Sequence, residues 1–153
     1  MALTITFDQA KLERIRKKLG PDLIIPPVRR LIQEAARIAQ AEAISRAPSV
    51  LATAIHDLVA VGLIGAKVVA AHPGARAMEA GRKPLVAGGN FPPPEAFAYI
   101  TSDRGAQFAI ARAVARRGTK GRFFMKKAKA KVSRMLPQLA EKTAREIADV
   151  WDK

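Results

Sequence analysis

Residues 28–46 carry the pattern that most constrains the fold of this chain. Apolar side chains, mostly small or branched, recur there at the 3.6-residue period of an α-helix, with one carboxylate among them: Val28, Leu31, Ile32, Ala35, Ile38, Ala39, Glu42 and Ala43. We expect a long helix that buries this face. Pro27 suits its first position, and Ala47-Pro48 ends it, because a proline disfavours the helical conformation in the residue before it.

Weaker helical patterns occur on both sides of this segment. They predict helices over 9–19 with Asp8 as N-cap, 105–117 with Asp103 as N-cap, and 122–151. Pro137 lies inside the last pattern, so we expect it to kink that helix or split it in two. Residues 20–27 are predicted to be a linker between the first two helices.

Short strands are predicted between the helices. Residues 3–7 alternate and include β-branched side chains, which indicates a strand. Apolar blocks on either side of Gly62 and Gly65 predict a hairpin of strands near 55–62 and 66–71. A short helical turn is expected over 74–80. The length of 153 residues predicts a single domain.

The formal net charge of +14 implies that something anionic lies beside this protein. Nucleic acid, membrane headgroups and an acidic protein are all compatible with it. The sequence has no cysteine, which excludes disulfides and thiolate chemistry. No apolar run approaches about 18 residues, and the N-terminus lacks the pattern of a secretory signal, so we expect a cytoplasmic protein without membrane association.

Residues 81–94, GRKPLVAGGNFPPP, contain four prolines and three glycines and predict a long loop. Loops of this length in compact domains are often functional. We expect an inter-subunit contact here, with a mobile surface loop as the alternative. The candidate contact residues are Arg82, Lys83, Pro84, Asn90 and Phe91.

Residues that could support catalysis or ligand binding are few. The glycines of 81–90 are not followed by the Lys-Ser/Thr pair of a phosphate-binding loop. His72 and Glu79 are too few to indicate a metal site, and Ser45, Ser49 and His56 lack an acid at a defined spacing. We therefore expect no catalytic residues, no metal and no cofactor.

The segment ARRGTKGRFFMKKAKAK, residues 115–131, contains eight basic residues and no acidic one. One interpretation is a solvated helix face. The other is a surface that lies beside DNA or an acidic partner, where Lys and Arg neutralise phosphates or carboxylates. The candidate basic surface consists of Arg116, Arg117, Lys126, Lys127, Lys129 and Lys131. Base stacking is not indicated, because either Phe123 or Phe124 must enter the core and no second aromatic platform is present.

Three short blocks, in order, resemble the tail-component family of long-tailed bacteriophages, which includes tail-completion, head–tail joining and tail-terminator proteins. They are AQAEAISRAPS (39–49), GARAMEAGRKP (74–84) and AIARAVARRGTKGRFFMKKA (109–128). The matching positions are Pro48, Glu79, Gly81, Gly118, Thr119, Lys120, Gly121, Arg122, Phe123 and Phe124. The Asp-Thr-Gly usual after the first block is replaced by Ser49-Val50, and Ala75 stands where an aromatic is common.

This resemblance, which covers roughly residues 28–135 and leaves 1–27 as an N-terminal extension, implies a fold and a function. It implies an α+β fold in which a small antiparallel sheet, built on a hairpin, packs against a long N-terminal helix and a C-terminal helix. It implies a structural virion protein of the phage neck, assembled in the bacterial cytoplasm. The partners implied are copies of itself in a hexameric ring, connector or adaptor proteins and tail-tube proteins, with genomic DNA nearby. The alternative is a basic accessory protein that binds DNA or RNA.

Overall fold

The fold is described from a computed structural model, which covers residues 1–6, 8–59, 65–72 and 74–151. Its helices are α1 (Gln9–Leu19), α2 (Pro21–Arg46), α3 (Ser49–Ala52), α4 (Ala75–Ala80), α5 (Arg104–Arg117) and α6 (Phe124–Trp151). Its strands are β1 (Ala2–Thr6), β2 (Ile55–Val59), β3 (Gly65–Ala70), β4 (Gly81–Arg82) and β5 (Thr119–Lys120). The predicted α+β class is confirmed.

A three-stranded antiparallel sheet with the order β1-β3-β2 covers one side of α2. The predicted hairpin is confirmed, with Ile55 of β2 opposite Ala70 of β3 and Val59 opposite Ala66. Residues 60–64, which include part of the predicted first strand, lie outside the described residues. Alternate residues of β3, including Val68, are buried, because one face of the sheet packs on the helix while the other faces solvent.

Helix α2 begins at Pro21, so the prediction of a linker over 20–27 is wrong. Pro21 takes the first helical position, where a missing N–H costs nothing. Pro26 and Pro27 then lie inside the helix, where each removes a backbone hydrogen bond. Ile24 and Pro27 are buried. Burial of these two side chains offsets the lost hydrogen bonds, which explains why the helix extends through both prolines.

Helices α2 and α6 form the main helix pair of the fold and enclose the core with the sheet. Small side chains on the buried face of α2, among them Ala35, Ala36 and Ala39, are fully buried and allow α6 to lie close. Of the two outcomes predicted for Pro137, a kink or a split, the split does not occur, since α6 runs unbroken from Phe124 to Trp151. Its buried positions Val132, Leu139 and Thr143 lie on both sides of the proline, so packing on α2 continues across it.

Helix α5 packs chiefly against the segment between β4 and itself. The predicted loop over 81–94 begins with β4 and contains a 3₁₀ turn at Leu85–Ala87, and a second 3₁₀ turn follows at Pro94–Phe97. Phe91 of this segment contacts Phe108 of α5, with ring centroids 5.8 Å apart. Among the described residues, no helix is long and apolar enough to cross a membrane.

Candidate functional site

Two sequence blocks that lie about forty residues apart meet in a two-stranded antiparallel sheet. Gly81 of β4 is opposite Lys120 of β5, and Arg82 is opposite Thr119. The Thr119 hydroxyl also accepts the N–H of Arg82 at 3.1 Å. This pairing places the Met78-Glu79-Ala80-Gly81 block directly against the Gly118–Phe124 block.

Glu79 joins the two blocks through the N-terminus of α6. Its carboxylate accepts the N–H of Met125 at 3.0 Å and the N–H of Lys126 at 2.8 Å. These are among the amides that a helix leaves without internal partners, so Glu79 caps α6 from a separate helix. The Glu79 carbonyl also accepts the N–H of Phe123 at 3.0 Å. The side chain is only 4% exposed, and both of its oxygens are used in the cap.

Glycine is required at this junction because the backbones come into contact. Gly118 has a φ of +69°, and a Cβ there would lie 2.4 Å from the carbonyl oxygen of Arg82. A Cβ on Gly121 would lie 2.6 Å from the Glu79 carbonyl oxygen. Any side chain at either position therefore pushes β5 or the start of α6 away from the Glu79 block.

The two phenylalanines at the start of α6 have opposite environments. Phe124 is fully buried in the main core. Phe123 adopts a φ of +53° and leaves its ring exposed, with the Lys126 ammonium 5.7 Å from the ring centroid. The sequence left open which of the two is the core anchor, and the structure shows that it is Phe124.

The loop after β4 is a closed turn with apolar side chains at its tip. The Pro84 carbonyl accepts the N–H groups of Ala87 and Gly89, which fixes the shape of the turn. Val86 is 95% exposed and Leu85 about half exposed. Of the predicted contact residues, Lys83, Asn90 and Phe91 are exposed, whereas Arg82 and Pro84 are half-buried. Leu85 and Val86 were not among the predicted residues, although two apolar residues inside a Pro/Gly-rich loop were a signal for them.

The predicted basic surface divides between two helices. Arg116 and Arg117 are exposed at the end of α5, and Lys126, Lys127 and Lys129 are exposed on the first turns of α6. Lys131 differs from them, because its ammonium lies 2.8 Å from the carboxylate of Glu42 on α2. It contributes to the contact between α2 and α6 rather than to a free cationic surface.

Glu42 is the carboxylate within the apolar stripe of α2. It is largely buried and accepts hydrogen bonds from Lys131 and from Arg46 one turn later. The hydrogen bond from Lys131, together with the one from Arg46, holds the pKa of Glu42 at about 2, well below its ordinary value of 4.5.

The three blocks singled out in the sequence border a single groove. Pro48 contributes from the first block, Met78 and Arg82 from the second, and Lys120 and Arg122 from the third. The groove has a volume of about 430 Å³ and is completed by apolar side chains of the segment before α5 and of α5 itself, among them Phe97, Tyr99, Ile100 and Val114. Burial raises the pKa of Tyr99, whose ring meets that of His72 at right angles with 5.0 Å between centroids.

Two of the residues considered for catalysis or metal binding, His72 and Ser45, make local hydrogen bonds. His72 accepts the N–H of Gly74 through Nδ1 at 3.0 Å, and Ser45 donates its hydroxyl to the Glu42 carbonyl at 2.9 Å. Across residues 1–6, 8–59, 65–72 and 74–151, no group of three His, Asp or Glu side chains is close enough to hold a metal ion.

The chain has no significant match among known proteins. The sequence matches no protein-family model, and no curated protein or solved structure is significantly similar to it.

Proposed function

We propose that this protein is a structural component of a bacteriophage neck, a tail-completion or tail-terminator protein that forms a ring at the head–tail interface. Its partners in this proposal are further copies of itself, in a hexameric ring, and the connector and tail-tube proteins on either side. It acts in the virion after assembly in the bacterial cytoplasm, and it catalyses no reaction. The proposal starts from the resemblance of the three sequence blocks.

The observation that carries this proposal is that these blocks are arranged around one groove. Pro48, Arg82 and Lys120 come from three separate parts of the chain and line the same surface. Glu79 and Gly121, which match the same family pattern, lie at the contact between the second and third blocks. Positions that share a pattern because they serve one structural unit are expected to lie together in this way.

The apolar tip of the 81–94 loop supports self-association. Leu85 and Val86 are held by a hydrogen-bonded turn, so little conformational entropy is lost when they are buried. Full burial of an aliphatic side chain contributes roughly 1.5–3 kcal/mol. A head-to-tail contact through such a tip on every subunit closes into a ring when the rotation between neighbours allows it. In this proposal the tip packs on a neighbouring copy.

The second candidate is a DNA- or RNA-binding accessory protein. The observation that favours it is the set of exposed cations on α5 and α6, together with the net charge of +14. Such a surface binds phosphates and releases counterions, so its affinity falls steeply with salt.

Light scattering and DNA titration on the same purified protein distinguish these candidates. The ring proposal predicts a single oligomer whose mass does not change with salt over the physiological range, and weak binding of a duplex oligonucleotide at physiological salt. A monomer that binds the duplex tightly, with a steep dependence on salt, would exclude the ring and support the second candidate.

A further inference from the structure

The groove bordered by the three sequence blocks combines apolar walls with a cationic rim. Val50, Phe97 and Ile100 supply apolar surface, and both Val50 and Ile100 remain substantially exposed. Arg82, Lys120 and Arg122 are the cations at its edge. Among the described residues that line it, none carries a carboxylate. A ligand that fits this surface has apolar side chains for the walls and carboxylates for the rim.

Other molecules of this protein are poor donors of those carboxylates. Of its 13 Asp and Glu side chains, at least nine already cap helices or pair with cations of the same chain: Asp8, Glu13, Glu34, Glu42, Glu79, Glu95, Asp103, Glu141 and Glu146. Against them stand 27 Lys and Arg residues. A second copy placed on the groove would bring mostly positive charge to a positive rim, which is unfavourable.

The loop tip of a neighbouring copy is also a poor occupant of this groove. Leu85 and Val86 have the apolar character that the walls require, but Lys83 precedes them and the next acidic residue in the chain is Glu95. A contact of this kind would place Lys83 near Lys120 or Arg122. The apolar tip and the cationic groove therefore suit different partners.

We infer that the groove binds an acidic segment of a different protein, one whose apolar side chains alternate with Asp or Glu. The apolar side chains enter between Val50, Phe97 and Ile100, and the carboxylates meet Lys120 and Arg122. This surface does not depend on whether the chain forms a ring.

Selection from a random peptide display library on the immobilised 153-residue protein tests this inference. We expect the selected peptides to be rich in Asp and Glu together with Leu, Ile or Phe. One such peptide, synthesised and labelled, then gives a dissociation constant by fluorescence anisotropy. In Lys120→Glu/Arg122→Glu the affinity should fall about tenfold or more, since two charge pairs at the rim are lost and reversed.

Two further variants separate this site from general charge effects. Lys127→Glu/Lys129→Glu changes the net charge equally but alters exposed lysines outside the groove, and it should leave the affinity unchanged. Ile100→Ser removes an exposed apolar side chain from the wall and should weaken binding several-fold. Equal losses of peptide affinity in both charge variants, or no effect of Ile100→Ser on that affinity, would show that the binding is nonspecific electrostatic attraction and would overturn the inference.

Other outcomes would contradict the acidic ligand, assign the groove to a different occupant, or bear on the ring proposal alone. Selected peptides that are basic or uncharged, or no selection at all, contradict an acidic ligand. A duplex oligonucleotide that displaces the peptide and binds more tightly assigns the groove to nucleic acid. If Lys120→Glu/Arg122→Glu instead changes the oligomeric mass, a neighbouring copy occupies the groove. Failure of the ring proposal alone appears as a monomer that still binds the acidic peptide.

Discussion

The carboxylate of Glu79 caps α6 by accepting the N–H of Lys126 at 2.8 Å, although 47 residues separate them in the sequence. The contact fixes α4 to the first turn of α6, and the β4–β5 pair lies between those helices along the chain. The Glu79 contact therefore helps to position Lys120 and Arg122 at the rim of the groove.

Replacement of Glu79 by alanine should destabilise the protein by about 1–2 kcal/mol, because it leaves two helix-terminal amides without acceptors in a buried position. Urea unfolding followed by circular dichroism measures this change. Glu141→Ala is the matched control, since Glu141 is exposed and pairs with Arg145 within one helix. That substitution should cost less than about 0.5 kcal/mol. Equal effects of the two substitutions would show that Glu79 is not a structural cap.

Gly118→Ala should destabilise the protein far more than Gly88→Ala. Both glycines have positive φ, +69° and +81°, so both substitutions carry a conformational cost. It is about 1–2 kcal/mol for Gly88 in the left-handed helical region, and up to about 3 kcal/mol for Gly118, whose ψ of −172° lies in a region open essentially to glycine alone. Only at Gly118 would the new Cβ also collide with backbone, whereas nothing lies within 4 Å of it at Gly88. We expect an additional loss of roughly 1–3 kcal/mol from that collision. Thermal unfolding of the two variants gives the comparison, and similar melting temperatures would contradict the close approach of β4 and β5.

The ion pairs of Glu42 predict a loss of stability in acid. Because the folded pKa of about 2 lies below the ordinary value of 4.5, this carboxylate stabilises the fold fully above about pH 4.5. Its contribution should decline as the pH falls from about 4.5 towards 2. The free energy of unfolding, measured across this range, should fall more steeply for the native protein than for Glu42→Gln. Parallel curves would mean that the Lys131 contact does not perturb the titration of Glu42.

Several parts of this fold could be predicted from local sequence. The 3.6-residue stripe of α2, the caps Asp8 and Asp103, and the hairpin of β2 and β3 all follow from spacing within a single segment. The start of α2 was missed because the two prolines at 26–27 outweigh the weaker apolar signal of Ile24. Ile24 stabilises the start of α2 only through its burial in the folded protein, which the local sequence does not show.

The candidate site was harder to predict, because it is made by contacts between distant segments. Strands β4 and β5 have two residues each, too few to show any alternation. The motif glycines were visible in the sequence, but their close approach to the Glu79 and Arg82 carbonyls was not. Similarly, Glu42 was visible as a charge within an apolar stripe, while its partner Lys131 looked like one more lysine of a basic run.

Substitution of both Leu85 and Val86 by serine should dissociate the proposed ring while the subunit stays folded. Val86 is almost fully exposed and Leu85 about half exposed, at the tip of a turn that backbone hydrogen bonds close, so the subunit loses only the partial packing of Leu85. Val150→Ser is the matched control, because Val150 is also exposed but lies near the end of α6. Circular dichroism melting checks that each variant folds. A double variant that stays assembled would show that the tip is not the contact.

The mass of the intact protein in native mass spectrometry tests the ring most directly. We expect one closed oligomer, six subunits for a hexameric ring, for the native chain and for Val150→Ser, and a monomer for the Leu85→Ser/Val86→Ser variant. A monomeric native chain, or an open series of masses without a preferred size, would contradict it.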